Sequence, residues 1–499
     1  MPQRQLQDRQ RRWRRPLAAA ALLLVSGAQA AEPLSFTAAE RRLLETSDLL
    51  DAAQAGVRAS RDQAEAVQSL WMPVVSLDAQ ELRYQKTIDI PLQDAKAAQA
   101  ASIGQFIQGL PGQLPAGTPP ALASQIVNQL SQTLPGLVNA IPDSVSFKVQ
   151  QTLFRPTLSA VMPLYTGGAI TAAQDVAKGN VTRAETGLNE ARDQLEVRLV
   201  ESYFGVQLSR SLLGLAQANR DGFLHHLDDA TRLQQQGVIS QAQRLQVEVA
   251  SNAAQRQYEQ ARSDYESADA ALSSLLQQTD SVEPGTPLFV ISAPLGPLQG
   301  FVEAAQSQFP QVQRADADRE IARQGLKAAQ ASYLPSVYLF GESSLDRDRE
   351  LVVDPDWIVG IGMHYTLLSN TDRRKSESAA RERLRAAESA GAQARADIRI
   401  LTLRAYNEVE TSRKAFLSYD GDIVAARENL RVQEISFREG EATAATVIDA
   451  RNALNTVLTT RAATAYRYDV ALAALLSASG QVRQYGDYVQ KADREVQQP

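Results

Sequence analysis

The chain of 499 residues contains no cysteine. This excludes a disulfide, a thiolate metal site and a cysteine nucleophile. It also excludes an acylated cysteine at the start of an exported chain, so any hold on a membrane is made without a lipid. Long apolar runs are missing too. Beyond the N-terminal region no stretch approaches the roughly eighteen consecutive apolar residues of a membrane-spanning helix. Alternating strands of a barrel remain possible, because a hydropathy scan misses them. Catalytic motifs are absent: there is no G-x-S-x-G and no P-loop, and the glycines at Gly360 and Gly362 lie in a strand pattern without a third. The only histidines are His225, His226 and His364. The first two are adjacent and point to different faces of a helix, so they cannot share a metal as an i,i+4 pair would. Acidic residues are scattered along helical stretches, where solvation is the default. No enzyme, cofactor or metal site is expected.

What is present begins with an N-terminal export signal. Arg4, Arg9, Arg11, Arg12, Arg14 and Arg15 form a positive region, Leu17 to Val25 is a short apolar stretch, and Ala28-Gln29-Ala30 is an A-x-A cleavage site. This pattern predicts a secretory signal peptide over residues 1–30; the paired arginines leave a twin-arginine route open. Its removal takes the formal net charge from −6 to about −11. So acidic a chain is a poor partner for nucleic acid.

Proline is absent between Pro163 and Pro284 and again between Pro355 and Pro499. Proline breaks helices, so these two gaps are where long helices can form. Both are rich in Ala, Gln, Glu, Arg and Leu, which favour helix. Leu188, Ala191, Leu195, Leu199, Tyr203 and Val206 recur at helical spacing, as do Leu403, Tyr406, Val409, Phe416 and Tyr419. The two gaps share a register. Gly167 and Asn370, Tyr203 and Tyr406, and Gly237 and Gly440 each stand 203 positions apart. Composition could make two helices alike, but aligned punctuation at both ends argues for an internal duplication. From Gly168 to Gly237 and from Thr371 to Gly440 are 69 positions each. At 1.5 Å per residue such a helix reaches roughly 100 Å. A rod of that length must pack along other rods.

Each half therefore reads as helix, β hairpin, long helix, turn, helix. The first repeat spans 31–278 with its hairpin at 72–165, and the second spans 300–479 with its hairpin at 334–368. An equatorial linker, 279–299, joins them, and 480–499 is a C-terminal tail. Strands are expected over Met72 to Tyr84, Val145 to Tyr165, Leu334 to Ser344 and Asp356 to Leu368, with alternation plain in Trp357, Val359, Ile361 and Met363. Trp71, Tyr84, Tyr165, Tyr333, Tyr338, Phe340, Trp357 and Tyr365 cluster at or near strand ends, which suits an interfacial aromatic belt. The Pro/Gly-rich text between Lys86 and Ser144 reads as a long exposed loop, with a short helix near Leu122 to Leu130. Four strands leave open edges unless several chains contribute to one barrel.

Four stretches in this order give the chain its resemblance: PLYTGG at Pro163 to Gly168, YLPSVYLFGE at Tyr333 to Glu342, GVISQAQRLQVEVA from Gly237, and GEATAATVIDARNAL from Gly440. The chain resembles the TolC-type outer-membrane efflux family over about Ala38 to Ser479. The resemblance implies a mostly α protein with membrane β: duplicated strand–long-helix halves, and a trimeric β-barrel continued by a periplasmic α-helical coiled-coil barrel. It implies a homotrimer in outer-membrane lipid, joined by a periplasmic adaptor to an inner-membrane pump. The role implied is a passive export duct for small molecules or proteins in tripartite efflux or type I secretion. The competing expectation is a periplasmic coiled-coil adaptor or scaffold without a membrane barrel, which would not need two symmetrically placed hairpins.

The resemblance also implies site residues. The family closes its periplasmic end with aspartates beside the second tip turn; the matching positions are Thr446 and Asp449, of which only the latter is an acid. The closing tyrosine, arginine and partner acid fall on Phe437, Ala442 and Gln243, so the polar lock is largely absent. The turns at Gly237, Val238, Ile239 and Ser240, and at Gly440 and Glu441, are the expected adaptor contacts.

Overall fold

The computed structural model describes residues 33–91, 103–133, 144–345 and 355–496. The signal peptide expected over 1–30 lies outside the described residues. Two long rods dominate: α5 (Ala169–Gln235) and α9 (Arg373–Arg438), of 67 and 66 residues. At 1.5 Å per residue each runs about 100 Å. Each turns back into a shorter helix of 35 residues, α6 (Gln241–Leu275) or α10 (Ala444–Ala478). Both ends of these shorter helices keep the 203-residue offset. No helix among the described residues is long and apolar enough to cross a membrane.

The segments before each hairpin were expected as single helices, and both are broken. The first divides into α1 (Phe36–Thr46) and α2 (Asp48–Gln68) at Ser47, whose side chain caps α2 through the Leu50 N–H. The second divides into α7 (Leu298–Gln308) and α8 (Pro310–Ala331) at Phe309. Pro310 has no N–H to continue a helix and suits the first position of a new one.

The strands are β1 (Val74–Pro91), β2 (Ser144–Tyr165), β4 (Ser336–Ser344) and β5 (Trp357–His364). They form one antiparallel sheet in the order β1-β2-β4-β5. The first hairpin is far longer than the second: 18 and 22 residues against 9 and 8. The β2–β4 pairing begins only at Thr157, so the distal half of the first hairpin stands alone as a two-stranded ribbon. This corrects the expected loop from Lys86. Lys86 to Ile90 contain neither proline nor glycine, and polar pairs hold the ribbon in register: Gln150 to Gln85 at 2.6 Å and Ser146 to Asp89 at 2.5 Å. Two helices, α3 (Ile103–Gly109) and α4 (Pro120–Thr133), cap its end. The expected short helix is thus present and longer. Leu110, Ile126 and Leu130 are buried in a small core of their own, with Phe106, Ile90 and Phe147 packed against it.

The main core lies where the rods cross a girdle at mid-length. Phe36, Tyr203, Phe204, Phe289, Tyr468 and Tyr485 form one aromatic cluster, with neighbouring rings 5.1–6.2 Å apart. The Tyr203 hydroxyl donates to the Leu34 carbonyl (2.6 Å) and accepts from the Thr286 N–H (2.8 Å), tying the linker and the segment before α1 to α5. The linker's β3 (Phe289–Val290) pairs with β6 (Arg494–Glu495) of the tail, which follows α11 (Tyr485–Gln490).

Candidate duct wall and periplasmic tips

Side chains directly opposite in an antiparallel pair share a face, so the register sorts the sheet into two surfaces. Trp357 opposes Ser343, Val359 opposes Gly341, Ile361 opposes Leu339 and Met363 opposes Val337. On the same face β2 carries Leu158, Ala160 and Met162, and β1 carries Val75 and Leu77. Trp357, Val359, Ile361 and Met363 are 64–70 % exposed. A contiguous exposed apolar face of this kind marks a surface made for a partner or for lipid.

The other face carries the polar side chains, alongside Val74, Val161 and Ile358, and is internally bonded. The Ser76 and Ser159 hydroxyls share a hydrogen bond of 2.6 Å, and each lies 3.3 Å from Asp78 Oδ2, which accepts from the one whose proton is free. Arg155 pairs with Glu342 at 3.1 Å. Tyr338 and Phe340 stand on this face, opposite Gly362 and Gly360. The expected aromatic belt is therefore only partly assembled. Trp71, Tyr165, Tyr333 and Tyr365 flank the helix-proximal ends of the strands, and Trp357 lies at the other end. Tyr84 lies on the ribbon beyond β4 and β5, while Tyr338 and Phe340 lie in mid-strand on the polar face.

At the far end of the rods the two tips are built alike. Gly237 and Gly440 adopt φ of +75° and +78°, which costs other residues strain. After α5, the Gly237 N–H donates to Gln234 (3.0 Å) and the Val238 N–H to Leu233 (2.9 Å). After α9, the Gly440 N–H donates to Phe437 (3.0 Å) and the Glu441 N–H to Ser436 (2.8 Å). Both are Schellman closures, which satisfy the last carbonyls of a helix. The returning helices are capped by Ser240 and Thr443. Gln243 completes a reciprocal capping box with Ser240, and Thr446 donates both its N–H and its hydroxyl to Thr443. The positions that matched the family's acids at Gln243 and Thr446 are thus occupied with starting a helix.

The structure brings the two tips into contact: a Cβ at Gly440 would lie 3.2 Å from Val238 Cγ1. Val238 is exposed and Ile239 packs against the tip core. Ser240, Glu441, Thr446 and Asp449 are exposed. Behind the turns, Ala230, Val247, Leu430, Phe437, Ala444, Val447 and Ala450 form a buried cluster shared by all four helices. Phe437 and Ala442, which match the tyrosine and arginine of the family's polar lock, belong to this apolar packing.

Sequence reasoning missed the polar group at its edge. His226 is buried, with its ring 4.7 Å from that of Phe437. Burial first, then the Arg451 charge, pushes its imidazole down to about 4, against the opposing pull of the Ala444 backbone and Asp229. Arg451 forms an ion pair with Glu434 across α9 and α10 and lies 5.6 Å over the Phe223 ring. Its guanidinium occupies the space that a side chain at Gly222 would fill. The adjacent histidines were the available signal: His225 is exposed and His226 is a packing residue.

A model of the outer membrane efflux protein family matches residues 141–277 and 301–481. No curated protein matches the chain. Among solved structures, CusC superposes with a TM-score of 0.69 at 14 % identity, covering 89 % of this chain and 92 % of that one. VceC of Vibrio cholerae gives 0.66 at 13 % identity over 89 % and 96 %. The open state of MtrE from Neisseria gonorrhoeae gives 0.66 at 16 % identity over 90 % and 89 %. These likenesses establish the fold of a β-barrel subunit continued by a helical barrel. With the family model covering more than half of its length, this chain belongs to the outer membrane efflux protein family.

Proposed function

We propose that the chain is one subunit of a homotrimeric outer-membrane duct that passively exports small molecules or proteins. The observation that carries this is the sheet: one face is apolar, the other carries the polar side chains and the Arg155–Glu342 ion pair, and both edges are open. Within the described residues β1 and β5 each pair on one side only. An exposed strand edge invites pairing, and in lipid an unpaired backbone group costs several kcal/mol. Joining β5 of one copy to β1 of the next removes both edges at once. The apolar face then meets lipid and the polar face lines the bore, the arrangement of an outer-membrane barrel. The paired strands of 8 and 9 residues are near the ~9–11 that a tilted strand needs to cross the bilayer. The distal ribbon and its helical cap then stand outside the cell.

The rods continue the duct through the periplasm and end at the tips. Gly237, Val238, Ile239, Ser240, Gly440 and Glu441 are the surface offered to a periplasmic adaptor, which joins the duct to an inner-membrane pump in a tripartite efflux or type I secretion system. Asp449, with Thr446 one turn nearer the tip, contributes to the constriction. The decisive experiment is native mass measurement of the detergent-extracted protein from an outer-membrane fraction. A trimer is expected, and a stable monomer overturns the duct.

A further inference from the structure

The polar face of the second hairpin presents a combination that an alternating pattern does not require. Two large rings, Tyr338 and Phe340, stand on β4 directly opposite two glycines, Gly362 and Gly360, on β5. The rings lean across the strand and occupy the space above the glycine backbone. A Cβ at Gly362 would lie 2.5 Å from Tyr338 Cζ and 2.8 Å from its hydroxyl oxygen. A Cβ at Gly360 would lie 3.0 Å from Phe340 Cζ and 3.1 Å from Cε1. The two rings also touch each other, with centroids 6.0 Å apart. On the opposite face the relation is looser: a Cβ at Gly341 would be an ordinary 3.6 Å from Val359.

Glycine in a strand interior weakens the strand and often marks close approach of another group. Here the approaching group is the cross-strand ring. A ring that finds a glycine opposite it lies along the wall. A ring that finds a side chain there must take another rotamer, and the staggered alternatives swing it off the wall. We propose that Gly360 and Gly362 set the width of the barrel bore by giving Phe340 and Tyr338 a place to lie against its wall. This inference rests on the barrel reading above. In a closed barrel every copy repeats the pair at the same level, so the glycines act together around the bore.

The test uses the full-length protein in planar bilayers, with neutral polyethylene glycols of graded size added only on the side of the helical cap. The conductance drop from polymer entry reads the width of that mouth. Gly362→Val should shift the exclusion limit to smaller polymers, and Tyr338→Ala combined with Gly362→Val should restore it. An inserted Gly362→Val channel with an unchanged limit overturns the proposal. So does a double variant as narrow as the single one, because the narrowing is then not made by the ring. If Gly362→Val does not insert, Tyr338→Ala alone decides. A ring already on the wall predicts the limit of the unaltered channel, whereas a wider limit places the ring in the bore and overturns the proposal. Failure of the unaltered chain to form channels at all would instead remove the barrel reading.

Discussion

At the residue scale, the duplication exposes one misfit. The returning helices α6 and α10 both end in Schellman closures, made by Gln277 and Gln278 in the first half and by Gly480 and Gln481 in the second. Gly480 has φ of +70°, and its counterpart Gln277 is the one non-glycine residue with positive φ among the described residues, at 52°. A left-handed conformation costs a side-chain-bearing residue about 1 kcal/mol or more. Gln277→Gly should therefore stabilise the chain by about 0.5 kcal/mol, the remainder being offset by the freedom glycine has when unfolded; chemical denaturation would show it, and a loss of stability would mean that the Gln277 contact to Asp48 at 3.1 Å outweighs the strain. His226 supplies a pH dependence. Its imidazole is held down at about 4, so the folded tip contains the neutral form. That stability is complete above the ordinary value of 6.5 and is lost as pH falls towards 4. At ~1.4 kcal/mol per unit the loss is at most on the order of 3–4 kcal/mol. Protection of the tip amides, relative to their intrinsic exchange rate at each pH, should fall between those limits in the unaltered protein and not in His226→Leu. Asp449 is exposed beside the tip and is the acid proposed for the constriction. Asp449→Asn should weaken cation selectivity in single-channel recordings without changing assembly, and unchanged selectivity would place the side chain on the outer wall.

At the scale of elements, two rods of 67 and 66 residues have turns of identical design, but the turns do not have identical surroundings. A Cβ at Gly237 meets nothing within 4 Å, whereas one at Gly440 meets Val238. Valine at either glycine bears the cost of positive φ, about 1–2 kcal/mol. Only Gly440→Val also crowds the neighbouring tip at Val238. It should impair export more than Gly237→Val while both variants still insert as trimers, as an export assay beside a native gel would show. Equal effects would mean that conformational strain alone matters. Gly237 and Gly440 are legible in the sequence because a glycine ending a long helix is a local signal. The end of β1 is not legible in this way, because the proline- and glycine-rich text beyond Pro91 says nothing of how Lys86 to Ile90 pair across the hairpin.

At the scale of the whole molecule, the chain divides into parts with separate cores. The aromatic girdle, the tip cluster and the cap of the distal ribbon share no buried residues. The cap core contains Leu110, Ile126 and Leu130 and lies beyond the strands that would close the barrel. Deleting Gly109 to Pro120 removes Leu110 and should unfold the cap, yet leave the trimer and its insertion intact. Gel mobility with and without heating would test this, and loss of the trimer would make the cap part of the assembly. The stability of such a molecule is not one number, because each core can open without the others.

Much of this architecture is determined by short-range sequence. The two proline-free stretches dictate rods, because helix formation depends on each residue and its neighbours within one turn. The 203-residue offset reveals the duplication, and the alternation of Trp357, Val359, Ile361 and Met363 orients the second hairpin, because pleating is strictly local. What only the tertiary structure decided is lateral. That Arg451 fills the space beside Gly222, that His226 is neutral against Phe437, and that Tyr338 and Phe340 cover Gly362 and Gly360 all depend on which element lies alongside which. Those neighbours come from the other half of the chain or the facing strand, at distances along the sequence where periodicity carries no information. Burial and close approach, unlike helix and turn, are properties of the packed pair.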